Sequence, residues 1–214
     1  MEYIKLKRVK RNKKFIVFII IGVLLILISL LIFIIRYRYY ENKSANDRKQ
    51  VDEFLSQPVL NNIETNEIIS DEVNSDTNIN DYIAVLEIPA INLTRGLVDK
   101  SSPNNNVNKN IYMLKDTVLP DEDTISHIIL ASHSGNSYVS FFKNLYKLDI
   151  NDEIYFYYKN SKYIYSIYKI DEVDKTGNIE LKKTNSSDIT LITCKGNLKK
   201  QIVIYATLKS KGAY

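Results

Sequence analysis

The chain has 214 residues, a net charge of +4, one cysteine, sixteen tyrosines and no tryptophan. Seven Lys/Arg against one Glu put +6 on the first 14 residues, so the other 200 carry −2. The basic balance therefore belongs to the tail and gives the rest no electrostatic footing for nucleic acid, and a single cysteine excludes an internal disulfide.

From Phe15 to Ile35 every residue is apolar except Gly22 and Ser29. These 21 residues, at ~1.5 Å each, match the ~30 Å of a bilayer core. Lys5, Lys7, Arg8, Lys10, Arg11, Lys13 and Lys14 precede them, and Arg36 and Arg38 follow. The heavier cluster predicts a cytoplasmic tail over 1–14, a transmembrane segment over 15–35 and everything beyond outside the cell. A cleaved secretory signal has a shorter apolar region, ~7–15 residues, and a small-residue cleavage site. Ile34-Ile35-Arg36-Tyr37 offers none, so the segment reads as a retained anchor lying in membrane lipid.

Residues 36–80 are rich in Asn, Ser, Asp and Glu. A short helix fits Asp47 to Leu55, stopped by Pro58; the remainder lacks apolar periodicity and reads as an extracellular spacer. From residue 81 to 214 the texture becomes that of one folded domain. Ile83–Ile88 and Ile91–Gly96 read as two strands about the bend at Pro89. Ser101 to Asn106 is a loop by composition, and His127–Ala131 is a buried strand ending in the turn cluster Ser132-His133-Ser134-Gly135-Asn136. Phe141, Phe142, Leu145 and Leu148 suggest helical turns that plug an apolar opening. Glu153–Tyr158, Lys162–Ile170, Ile189–Thr193 and Gln201–Leu208 complete the strands, each bounded by polar turns. Short strands at near-even spacing with little helix predict a single antiparallel sandwich or barrel. The tyrosines suit its half-buried pleated surfaces.

Cys194 ends one of these strands, before the turn signal Lys195-Gly196-Asn197. A lone cysteine there is either a small buried hydrophobe or a nucleophile with a rigid strand behind it and open space in front. Of the two histidines, His127 opens an apolar strand and reads as structural. His133 follows that strand at the same kind of junction as Cys194. A free thiol, with pKa ~8.5, is a weak nucleophile until it becomes thiolate. An imidazole can hold the thiolate as an ion pair or carry its proton to a leaving amine, so acyl transfer is the chemistry this pair suits. No metal-ligand spacing or phosphate-cradling glycine loop is present, and no cofactor or metal is expected.

Thr190-Leu191-Ile192-Thr193-Cys194 matches the Thr-Leu-x-Thr-Cys signature of the sortases. Ile129-Leu130-Ala131-Ser132-His133 resembles their strand-ending histidine motif, with Ser132 where Gly is usual. Tyr82 to Pro89 looks like the family's early strand, and Phe141 to Asp152 like its "FF-x-x-L…GD" segment, with Asn151-Asp152 for Gly-Asp. The resemblance covers about Tyr82 to Leu208. It implies a mostly β fold: a closed eight-stranded sortase-type barrel with short helices, behind the N-terminal transmembrane helix. It also implies a membrane-bound cysteine transpeptidase of the Gram-positive cell wall. Its partners would be surface proteins bearing a C-terminal sorting signal and the amine acceptor of a cell-wall precursor. Cys194 would cleave an LPxTG-like signal and form a thioacyl enzyme, while His133 would serve the departing and incoming amines. With no membrane segment after Tyr214 and no lid motif before the barrel, the expectation is a single-anchor enzyme of class A or D rather than class B or the pilus-polymerising kind.

One departure stands out. Sortases place an Arg at the start of the last strand, and aligning Gln201 to Leu208 on that pattern puts Gln201 there. Lys199 shares its face by alternation, whereas Lys200 points away. Either Lys199 supplies the charge, the Gln201 amide suffices with slower chemistry, or the domain is a degenerate sortase fold that binds without reacting. Arg95 is a remote further source of charge.

Overall fold

The computed structural model describes residues 13–56, 82–121, 124–175, 185–196 and 199–214. The first element is one helix, α1 (Lys13–Ser56, 44 residues). It contains the apolar segment, whose side chains are exposed from Ile16 to Ile35, and it is long and apolar enough to cross a membrane. It then runs on through the polar residues as far as Ser56, carried by helix-forming Glu, Lys, Arg and Gln and stopping ahead of Pro58. The short helix expected from Asp47 to Leu55 is its last part; the expected spacer beyond Ser56 lies outside the described residues. Contacts divide the chain into two units, Met1–Ala45 and Asn46–Tyr214. The final turns of α1 thus belong with the β domain, where Val51 is buried against Val85 and Tyr157.

That domain is an eight-stranded sheet: β1 (Tyr82–Ile88), β2 (Leu93–Val98), β3 (Tyr112–Met113), β4 (His127–Ala131), β5 (Glu153–Tyr158), β6 (Ser161–Asp174), β7 (Asp188–Lys195) and β8 (Lys200–Ala213). The strands lie in the order β2-β1-β5-β6-β8-β7-β4-β3. Period-two burial decides the faces. In β6, Tyr163, Tyr165 and Ile167 point inward; in β5, Ile154 and Phe156 do the same. With Leu86, Leu97, Leu130, Leu191 and Ile204 they form the barrel core. Phe142, Leu145 and Leu148, around a 3₁₀ turn at Leu145–Lys147, are buried in the same core and form the plug their spacing suggests.

Two features differ from the sequence expectation. The sheet is not wholly antiparallel, because β4 and β7 run parallel, from His127↔Asp188 to Ala131↔Ile192. Alternation fixes which face a residue takes, not the direction of its neighbouring strand. The barrel is also closed by side chains at its last seam. Between the two end strands β2 and β3, the Asn110 amide donates to the Gly96 carbonyl (3.0 Å) and its oxygen accepts from Arg95 Nε (2.8 Å). Asn105 holds β3 by paired bonds to the Met113 backbone (2.7 and 3.0 Å). Asn151, standing where the motif has Gly, has φ 74°, a left-handed conformation that asparagine tolerates better than most residues.

Candidate active site

β7 is buried on both faces from Asp188 to Thr193 and opens only at Cys194. Leu191 and Ile189 enter the barrel core, whereas Thr190, Ile192 and Cys194 take the outer face. On β8 the register sets Val203 against Ile192 and Gln201 against Cys194. On β4 it sets Ile129 against Thr190 and Ala131 against Ile192. Past the end of β4 the two chains stay side by side: Ser132 N donates to the Ile192 carbonyl (3.3 Å), and buried Thr193 Oγ1 donates to the Ser132 carbonyl (2.8 Å). The ladder itself ends at Ala131↔Ile192; the same register carried two residues further would set His133 level with Cys194. Cys194 and Gln201 are thus neighbours across the ladder, about one strand spacing of ~5 Å apart, and His133 lies in the segment that follows β4.

Below Cys194 the outer face is apolar. Ile129, Ile192 and Val203 are buried there, with Leu114, Ala131, Val173 and Tyr205 packed around them. At the far end of the same face His127 Nδ1 meets Asp188 Oδ1 at 2.9 Å, the structural pairing its place at the start of a strand suggests. His127 and Asp188 are the first pair of the parallel β4–β7 register.

The polar surroundings can be read residue by residue. The imidazole's hydrogen bond among the described residues runs from Nε2 to Asn108 Oδ1 (3.2 Å) rather than to the thiol. Asn108 is held in turn, its N–H donating to Asn106 Oδ1 (2.9 Å). Gln201 is half-buried, between Cys194 on β7 and Val173 on β6. Lys199 is exposed and lies in the turn, one residue past the last ladder pair Lys195↔Lys200. Hydrogen bonds from Lys195 and Lys200 hold the Glu172 carboxyl below its ordinary range, with Lys200 Nζ 3.1 Å from Oε1. Arg95 is buried elsewhere, bonded to Asn110 and paired with Asp47.

Sequence reasoning missed Asn108. It lies two residues beyond the loop read at Ser101 to Asn106, in a stretch assigned to no element, and its relation to His133 spans 25 residues with no periodicity to betray it. The run of Asn around it is the one signal available, since Asn side chains bond neighbouring backbone and build such turns.

A sortase-domain family model matches residues 86–209. No curated protein matches the chain, but solved structures do. Listeria monocytogenes sortase A superposes with TM-score 0.53 at 19% identity, covering 63% of this chain and 92% of that one. Streptococcus suis sortase C1 gives 0.54 at 23%, covering 61% and 74%. A Clostridium perfringens sortase D5 transpeptidase gives 0.51 at 23%, covering 61% and 80%. These neighbours span sortases named A, C and D, so the likeness fixes the fold and leaves the class open. The strand order, the Thr-Leu-Ile-Thr-Cys strand end and a domain match across more than half of the sequence converge: the chain belongs to the sortase family.

Proposed function

We propose that this sortase is an active transpeptidase that cuts an LPxTG-like sorting signal and passes the released acyl group to a cell-wall amine. The observation that supports the reading is Cys194 at the open end of β7, facing Gln201 across the ladder and beside the segment after β4 that carries His133.

In this mechanism the Cys194 thiolate attacks the Thr carbonyl carbon, and a C–S bond forms. The tetrahedral oxyanion accepts a hydrogen bond from the Gln201 side-chain amide, the donor level with the nucleophile; Lys199 is the secondary donor. Collapse breaks the C–N bond to Gly, and His133 gives its proton to the departing amine. An incoming amine then attacks the thioester, neutral His133 takes its proton, and the thiolate leaves. Asn108 orients the imidazole. α1 serves as a single-pass anchor with its basic end in the cytoplasm and the barrel outside, where the positive-inside rule puts it.

The test uses the full chain in detergent micelles, an LPxTG peptide and a small amine such as triglycine. The reading expects an amine-linked product whose yield rises with amine concentration and disappears in His133→Ala. Product that forms equally without amine points to a hydrolase. Peptide binding without any product, across several sorting sequences, points to a non-reacting sortase-fold binder, the reading that the neutral Gln201 would favour.

A further inference from the structure

Arg95 is a buried cation that the proposed chemistry does not use. Alternation gives it the same face as Leu93 and Leu97, and its paired residue Leu86 is in the core. Its guanidinium lies over the Phe141 ring at 4.4 Å, its Nε donates to Asn110 Oδ1, and its Nη1 pairs with the Asp47 carboxylate. The same carboxylate accepts a hydrogen bond from the Tyr138 hydroxyl, and Tyr138 meets Phe141 edge-on, 6.3 Å between ring centres. Burial and the neighbouring Asp47 raise the Tyr138 phenol above its ordinary range, so it stays a donor.

These contacts close around His133 from both sides. Its ring is held by Asn108, and Asn108 shares a single turn with Asn110, whose N–H donates to the Asn106 carbonyl (2.8 Å). Its backbone carbonyl accepts from Phe142 N (3.1 Å), one residue past Phe141. Both handles on His133 thus lead, within two residues, to a side chain packed on Arg95. Among the described residues the carboxylate that pairs with Arg95 is that of Asp47, on α1. A buried guanidinium deprived of its counter-charge is strongly disfavoured and draws water or shifts its neighbours.

We propose that Asp47 is a positioning residue: by neutralising Arg95 and bonding Tyr138, the end of the anchor helix fixes the two segments that orient His133. The inference builds on the role proposed for His133. Without the end of α1 the barrel loses the alignment of its imidazole.

The chain has two histidines, so imidazole NMR of the full protein in micelles carries its own control. Asp47→Ala is expected to shift or broaden the His133 signals while those of His127 stay in place. It should also lower kcat roughly 10-fold with KM within about twofold, as misalignment rather than lost binding requires. If Asp47→Ala does not fold, Asp47→Asn, which keeps the shape and removes the charge, is held to the same criteria. Unchanged His133 signals overturn the proposal. So does equal disturbance of both histidines, which marks Asp47 as merely structural. The NMR result needs no turnover, so it decides the question even if the chain proves inactive.

Discussion

Replacing Gln201 by Arg tests the site where this chain departs from its family. Gln201 lies across the ladder from Cys194 and is half-buried, so a longer side chain can extend over the thiol without entering the core. The carboxylate that shares its face by register, Asp171, two positions along, is already paired with Lys169. Glu172 stands across from Ile202 on the opposite face. The new guanidinium is therefore free to serve an oxyanion. A neutral hydrogen bond contributes about 0.5–1.5 kcal/mol and a charged one about 1.5–3. The difference, about 1–1.5 kcal/mol, predicts a roughly 5- to 13-fold faster acyl-transfer step. Gln201→Ala, which deletes the donor, should on the same scale slow it by roughly 2- to 13-fold. The assay is the initial rate of amine-linked product from an LPxTG peptide, with thermal melting to confirm folding. A well-folded Gln201→Arg protein with less activity than the parent would refute the placement of this side chain over the reacting carbonyl.

Three further outcomes follow from particular contacts. Cys194→Ala should abolish product while changing stability by less than about 1 kcal/mol in urea titration, because the thiol sits at the open end of β7 and buries little area. His127→Ala should lower stability by about 1–2 kcal/mol through loss of the Asp188 contact, yet leave turnover within about twofold, since the pair lies at the far end of the face. Alkali should destabilise the barrel through Tyr165, whose burial pushes its phenol up to about 12. A raised folded-state value means its contribution is intact below the unfolded value of about 10 and is lost as pH climbs toward 12. Tyr165→Phe should reduce the loss across that window by about 2–3 kcal/mol, measured by urea titration at each pH.

Much of the barrel can be read from sequence because its strands carry their own pattern. The Tyr163, Tyr165 and Ile167 alternation and the all-apolar Ile128 to Leu130 run leave little choice of face. β3 escapes notice because it is two residues long and is held by Asn105, a contact that no local pattern encodes. The parallel β4–β7 pairing is likewise a property of neighbours rather than of either strand. The helix over Asp47 to Leu55 is legible, but its packing on the barrel is not: among its last residues Val51 alone is fully buried, too little to make an apolar stripe. At the site, Cys194 and His133 stand out as rare residue types at strand ends. Asn108, Arg95 and Asp47 do not, since they are common residues that gain meaning only when distant segments meet.

The central claim is that Cys194 becomes acylated, and intact-protein mass spectrometry tests it most directly. Full-length protein mixed with an LPxTG peptide and quenched in acid, with no amine added, should gain the mass of the acyl fragment ending in Thr. Hydroxylamine should remove that mass, and digestion should map it to the peptide containing Cys194. A protein that binds the peptide yet never gains this mass, over a range of sorting sequences, would contradict the account.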